Sequence, residues 1–329
     1  MILGASAVLT AGVLGLSGWV DPVGAVALGW LTFAILSTAL TATLRGRRAA
    51  KNNVATILVT SAFALAILPL ASLMWVVIEH GAPAFNAHFF TYSMRSVVGA
   101  GGGIYHAIIG TLYVTAAAAV ISVPIGLLSA VYLVEYGRGP MAKALTFLVD
   151  VMTGIPSIVA GLFAYALFVL FWGEGTRSGI AGAVALSLLM IPIVVRASEE
   201  MLKLVPHELR EGAYALGVRK WRTVVQVVLR TAAPGIITGI MLAVARVVGE
   251  TAPLLVTAGY TDSTNSDIFS RQMMTLPVFA YQSFKSPGVP PEPGYERAWG
   301  TALVLLIIVM VLNLIARLCT YFFAPKPNR

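Results

Sequence analysis

The chain has 329 residues, of which 58% are hydrophobic and 11% charged, against roughly 25% charged in an ordinary soluble domain, so most of it cannot carry a water-compatible surface. The net charge of +8 does not argue for nucleic acid, because the basic residues stand between long apolar stretches, where they report membrane orientation. A single cysteine, Cys319, excludes an intramolecular disulfide and any site built from several thiolates.

Two apolar stretches open the chain, 1–18 and 23–44, with Asp21-Pro22 between them. The turn-forming dipeptide predicts a membrane hairpin, making residues 1–45 a separate N-terminal element of one or two spans. A signal peptide is the rival reading, but no basic residue precedes the first run and a second long apolar run follows directly. Six further spans are predicted over 54–78, 106–134, 147–172, 179–195, 234–259 and 300–323, each close to the roughly 20 apolar residues a helix needs to cross hydrocarbon. The fold class is therefore all-α and polytopic, a six-helix core over 46–323 behind the predicted N-terminal hairpin.

Charge sorts the connections. Arg45, Arg47, Arg48 and Lys51 precede the first core span, Arg138 and Lys143 follow the second, and Arg196, Lys203, Arg210, Arg219, Lys220, Arg222 and Arg230 fill 196–233. The positive-inside rule places these in the cytoplasm, with both termini and the tail 324–329, and places loops 79–105, 173–178 and 260–299 outside. The glycines of 99–103 and the prolines of 287–293 read as irregular connections without chemistry.

Within 196–233 Pro206 can open a helix and Gly217 close it. Glu208 and Glu211 suit its positive end, and Leu209, Ala213 and Leu216 recur on one face. Two readings stand, a helix docked on a partner surface and a helix lying at the lipid interface with Trp221 as an aromatic anchor.

One predicted span carries charges near its middle. Arg246 falls about 18 Å along a helix over 234–259, and Glu250 would follow one turn later on the same face. Charges at that depth are costly and mark a protein interior or a wet path. The plain reading is mutual neutralisation. The functional reading is that Arg246 presents its fork of donors to an oxyanion while Glu250 orients the fork and accepts a hydrogen bond from a protonated one. Hydrogen phosphate carries such a proton and sulfate at neutral pH does not.

Other candidates are weaker. His80, His88, His106 and His207 lack ligand-like spacing. Asp150 reads as an interfacial or helix-start acid near the beginning of its span. Pro156 reads either as an ordinary kink or as a helix break lining a path.

These residues carry a family resemblance. Glu211-Gly212-Ala213, Gly217 and Val227-Val228-Leu229 are similar to the EAA loop of ABC-importer permeases, with Gly212 at an alanine position and Arg230 where a proline is usual. The runs 245–253, 204–206, 209–211, 213–217 with Lys220-Trp221, 191–196 and 154–159 closely resemble PstA phosphate permeases. The resemblance covers about 52–323. It implies a membrane subunit of a high-affinity phosphate importer in the bacterial inner membrane, not itself an enzyme. Partners would be a PstC-like second permease, two PstB-like ATPase subunits that bind ATP and magnesium, and an external PstS-like phosphate-binding protein.

It further implies coupling to the ATPase through Glu211, Ala213 and Gly217, and phosphate passage at Arg246, Glu250 and Arg196. For Arg196 the plain alternative is an arginine snorkelling from the end of its span. No phosphate-binding loop pattern occurs in the chain, and no catalytic, metal or cofactor site is expected. The rival functions are a sulfate or molybdate permease, a stand-alone secondary transporter, which would show inverted repeats and more coupling acids, and a membrane enzyme, which would need a nucleophile or ligand cluster.

Overall fold

The computed structural model describes residues 22–323; the predicted span 1–18 and the tail 324–329 lie outside the described residues. Six helices are long and apolar enough to cross a membrane, or seven spans if one bent pair is counted as a single crossing. The chain divides into two compact units, one up to Val76 and one from Val77 onward.

In the first unit α1 (Pro22–Arg45) and α2 (Arg47–Gly81) are separated by Gly46 alone. Its φ of 85° is a conformation that only glycine adopts at little cost. The polar groups of this apolar pair meet one another: Trp30 Nε1 donates to Ser61 Oγ at 2.7 Å and Asn53 Nδ2 to Ser37 Oγ at 3.3 Å. Leu58, Phe63 and Leu68 stay exposed, as a helix bathed in lipid allows.

The second unit is built on two long helices, α4 (Tyr105–Val131) and α7 (Gly179–Lys203); α3 (Ala87–Thr91) precedes them. Lipid supplies no hydrophobic drive for helices to associate, so close packing of small residues must. On α4 the buried positions include Ala107, Thr111, Thr115, Ala118, Ser122, Gly126 and Ala130, a stripe at intervals of three or four residues. A Cβ on Gly126 would stand 2.7 Å from Val194 Cγ1 of α7, so the helices approach as closely as glycine permits. Two apolar clusters lie along α7, one holding Leu186, Met190 and Val194 and one holding Val195 and Leu202.

Two predicted spans are broken. The stretch 147–172 forms α5 (Pro140–Gly154) and α6 (Ser157–Trp172), bent by 108°. Pro156 has no N–H to give and drives Ile155 to an extended ψ of 127°, which ends α5. The stretch 234–259 begins earlier, in α9 (Lys220–Val248), and stops at Gly249; α10 (Ala252–Thr257) follows with Pro253 in its first turn. Pro253 cannot donate back to Gly249, and the helix is interrupted over Gly249–Thr251.

α7 runs to Lys203, past the predicted end at 195, and is followed by α8 (His207–Ala215). The region 260–299 is more than a loop, containing α11 (Leu276–Lys285) and the first turns of α12 (Glu292–Phe323). The glycine-rich stretch 99–103 is irregular, and Arg297 Nη1 of α12 ties it down by donating to Gly99 O at 2.8 Å and Gly101 O at 2.9 Å.

Candidate functional site

The two breaks meet. A cleft of about 290 Å³ is lined by Thr153 and Ile155 at the end of α5, Ser157 at the start of α6, Pro192 of α7, and Arg246 and Glu250. Arg246 stands in the last turn of α9, not at the middle of a longer span. Glu250 lies beyond that helix, its N–H donating to Val247 O at 3.1 Å. The predicted one-turn spacing on a single helical face therefore does not exist; the residues reach one cleft because α9 ends between them.

Mutual neutralisation is not what the geometry gives, since Arg246 forms no ion pair with Glu250 and has no other partner among the described residues. Arg246 is exposed on a helix whose neighbouring positions Ala245 and Val247 are buried, and Glu250 is half-buried. At the start of α6, on the cleft wall, Val159 N and Ala160 N donate to Pro156 O, whereas the N–H groups of Ser157 and Ile158 have no partner inside their own helix. A free guanidinium fork, a carboxylate and a helix N-terminus around one small cleft suit a protonated oxyanion.

Arg196 is elsewhere. It bonds Asp150 of α5 and donates Nη1 to Glu199 Oε2 at 2.9 Å, and Glu199 also takes Lys203 Nζ at 2.7 Å. Asp150 is thus not a helix-start acid. Because α5 begins at Pro140, Asp150 falls in its second half, where it faces Arg196. The structure brings Arg246 and Glu250 together and leaves Arg196 among carboxylates outside their cleft.

At the far end of α7, α8 follows the predicted bounds. Pro206 caps its start, and Gly217 at φ 76° closes it, with Gly217 N donating to Tyr214 O at 2.9 Å and Val218 N to Ala213 O at 3.1 Å. Glu211 is exposed and has no partner among the described residues, while Leu204, Leu209 and Leu216 are exposed and Ala213 half-buried.

What holds α8 in place escaped the sequence. Arg210 is buried, its Nε and Nη2 both donating to Glu135 Oε1 at 3.0 and 2.8 Å. Its Nη1 reaches Val205 O at 2.6 Å and its Nη2 Leu202 O at 3.0 Å. Lys220 donates to the carbonyl of Glu135, and its ammonium lies 4.6 Å from the centre of the Tyr136 ring. The sequence grouped Arg210 with the other loop cations. The available signal was Glu135, an acid at the end of an apolar span that faces a basic loop.

Comparison with known proteins is consistent across the chain. Residues 122–329 match the family of binding-protein-dependent transport system inner membrane components. The phosphate transport system permease protein PstA 1 of Mycobacterium tuberculosis is 49% identical over 278 residues, covering 84% of this chain and 89% of that protein. PstA of Yersinia pestis is 38% identical over 282 residues, covering 85% and 92%. Among solved structures, a methionine ABC transporter in inward-facing conformations aligns at a TM-score of 0.52 with 20% identity, covering 68% of this chain and 95% of that one. An alginate ABC transporter aligns at 0.56 with 12% identity, covering 81% and 92%. These two likenesses concern the fold.

Proposed function

The chain belongs to the binding-protein-dependent transport inner-membrane components, within the PstA phosphate permeases, and from that premise we propose that it is a transmembrane subunit of an ATP-driven inorganic phosphate importer. The observation that carries the choice of substrate within the site is the unpartnered guanidinium of Arg246 beside Glu250 in the cleft at the helix breaks. Arg246 takes the charge of hydrogen phosphate in a planar fork. Glu250 accepts the phosphate proton, a contact that sulfate cannot offer. With a carboxylate so near, the anion is held loosely enough to leave.

The rest of the machine is supplied by other chains. A second permease completes the path, paired ATPases bind ATP and magnesium on the cytoplasmic face, and an external binding protein delivers phosphate. The exposed stripe of α8 with Glu211, Ala213 and Gly217 is the surface that meets an ATPase. The basic connections near Arg47 and Arg219 and both termini face the cytoplasm of a bacterial inner membrane.

Phosphate uptake in cells lacking their own high-affinity system tests the assignment. Arg246→Gln removes charge-assisted hydrogen bonds worth about 1.5–3 kcal/mol, so uptake should fall roughly ten- to hundredfold at unchanged protein level in the membrane. Parent-like uptake by Arg246→Gln would remove Arg246 from the path, and parent uptake competed by equimolar sulfate would reassign the substrate.

A further inference from the structure

A second, larger pocket of about 600 Å³ lies between the connection 173–178, which joins α6 to α7, and the connection 258–275, which joins α10 to α11. It sits at the N-terminal end of α7, while α8 follows the C-terminal end of that 25-residue helix. Roughly 36 Å of helix separates the two. The charged residues on its wall are Arg177 and Arg271, and among the described residues neither guanidinium has an ion-pair or hydrogen-bond partner. The hydroxyls of Ser263 and Thr264 also line it without a partner among the described residues.

The carboxylates of the same connection are turned to other work. Asp262 accepts from Tyr260 Oη at 2.6 Å, and Asp267 accepts from Phe269 N at 2.9 Å and Ser270 Oγ at 2.6 Å. Neither lines the pocket. Its walls are stitched together by backbone: Ser178 N donates to Thr257 O at 3.1 Å, Ile180 N to Ile268 O at 2.8 Å, and Met273 N to Ala258 O at 3.0 Å. Asn265 Nδ2 closes the loop on itself at Ser270 O, 2.8 Å, and Gln272 O, 3.1 Å. Gly259, at φ 77°, lets the stem of Arg177 lie over it; a Cβ there would stand 3.0 Å from Arg177 Cδ.

Two permanent cations and free hydroxyl donors in a preformed wet pocket match a tetrahedral oxyanion. The pocket is also placed to pass one on. The six residues of α10 connect Glu250, just before the helix, to Thr261, just after it. α6 also runs between the two pockets, with Ser157 on the wall of one and Gly175 just past its end on the wall of the other, so roughly 24 Å of helix separates them. The outer one has two arginines and no lining carboxylate, the inner one an arginine tempered by Glu250.

We propose that the Arg177–Arg271 pocket is an outer oxyanion site that takes phosphate before it reaches Arg246. This rests on the phosphate-permease reading and adds to it a first station, a strong site for capture ahead of a weak one for release. Carboxylates of a docking external protein present similar chemistry, and the experiment separates the two sources.

The full transporter is reconstituted in lipid nanodiscs, with this chain carrying Cys319→Ser and Thr264→Cys, and a thiol reagent is timed with and without inorganic phosphate. Labelling falls with the unoccupied fraction, so phosphate at about ten times its dissociation constant should slow it roughly tenfold. Arg177→Gln with Arg271→Gln should abolish that protection, whereas Arg246→Gln should keep it. Absence of protection in the parent, or protection that survives the double variant, overturns the proposal. If the double variant instead loses capture of the external binding protein while phosphate protection persists, the pocket is a docking surface and the proposal falls. Phosphate uptake by the parent in vesicles separates the two levels: uptake without protection removes only the outer site, and no uptake removes the permease assignment itself.

Discussion

Replacing Arg210 by methionine should loosen α8 without unfolding the membrane domain. The side chains of Arg210 and Glu135 retain 10% and 5% of their exposure, and the guanidinium makes four short contacts, two to Glu135 Oε1 and one each to Val205 O and Leu202 O. Methionine fills most of the volume but leaves a buried carboxylate without its donor and takes one from the Val205 carbonyl, which costs about 3–5 kcal/mol. At 1.4 kcal/mol per decade, the opening equilibrium of α8 should shift by roughly two to three and a half decades. Hydrogen–deuterium exchange on the reconstituted transporter reads this directly in peptides covering 207–217. A second variant, Arg210→Met with Glu135→Leu, removes the stranded charge and should recover much of the protection, because an apolar pair of similar volume can replace a buried ion pair. Unchanged exchange in Arg210→Met, or a double variant as loose as the single one, would refute the view that this pair anchors α8.

Arg196→Gln removes bonds to Asp150 and Glu199 at a site where the arginine is 36% exposed, so stability should change by no more than about 1 kcal/mol. A fall in uptake with an unshifted thermal midpoint would then assign Arg196 to the phosphate path, and parent-like uptake would leave it a bridge from α5 to α7. Glu211→Lys should leave the protein inserted and lower ATPase co-purification, because Glu211 is exposed and unpartnered among the described residues; full retention would count against docking through α8. Gly161→Ala places a Cβ 2.6 Å from the Cα of Pro253, and since backbone must move, it should cost about 1–3 kcal/mol in thermal denaturation. Gly212→Ala is the matched control, with nothing within 4 Å of the added atom.

Most of the fold was legible because the bilayer imposes one strong rule, a long apolar helix, and the spans 54–78, 106–134 and 300–323 fall inside observed helices. The span boundaries failed where a proline changed what apolar length alone can say, although the helix-break reading of Pro156 is the one observed. Hydropathy runs straight through Pro156 and Pro253, whereas the missing donors end α5 and separate α10 from α9. The same breaks explain why Arg246 and Glu250 line one cleft without sharing a helical face. α8 was legible from Pro206, Gly217 and its stripe, since caps are local. Arg210 was not, because its partner Glu135 is 75 residues away and a cation in a basic loop looks like its neighbours until the fold turns it inward.

The position of that anchor bears on how α8 could act on the cleft. Arg210 joins α8 to two rods at once, to the end of α7 through Leu202 O and to the end of α4 through Glu135. Lys220, on the first turn of α9, reaches the carbonyl of that same Glu135. From there α9 runs without a break to Arg246 in its last turn, about 39 Å away, while α7 carries Pro192 on the cleft wall. Both long helices meet the anchor beside a π-helical turn, Tyr132–Tyr136 continuing α4 and Val224–Val228 within α9. Such turns hold one residue more per loop and let a helix shift register locally without unfolding. If α8 meets an ATPase, Arg210 and Lys220 are the side chains that tie that surface to the ends of α4 and α7 and to the start of α9.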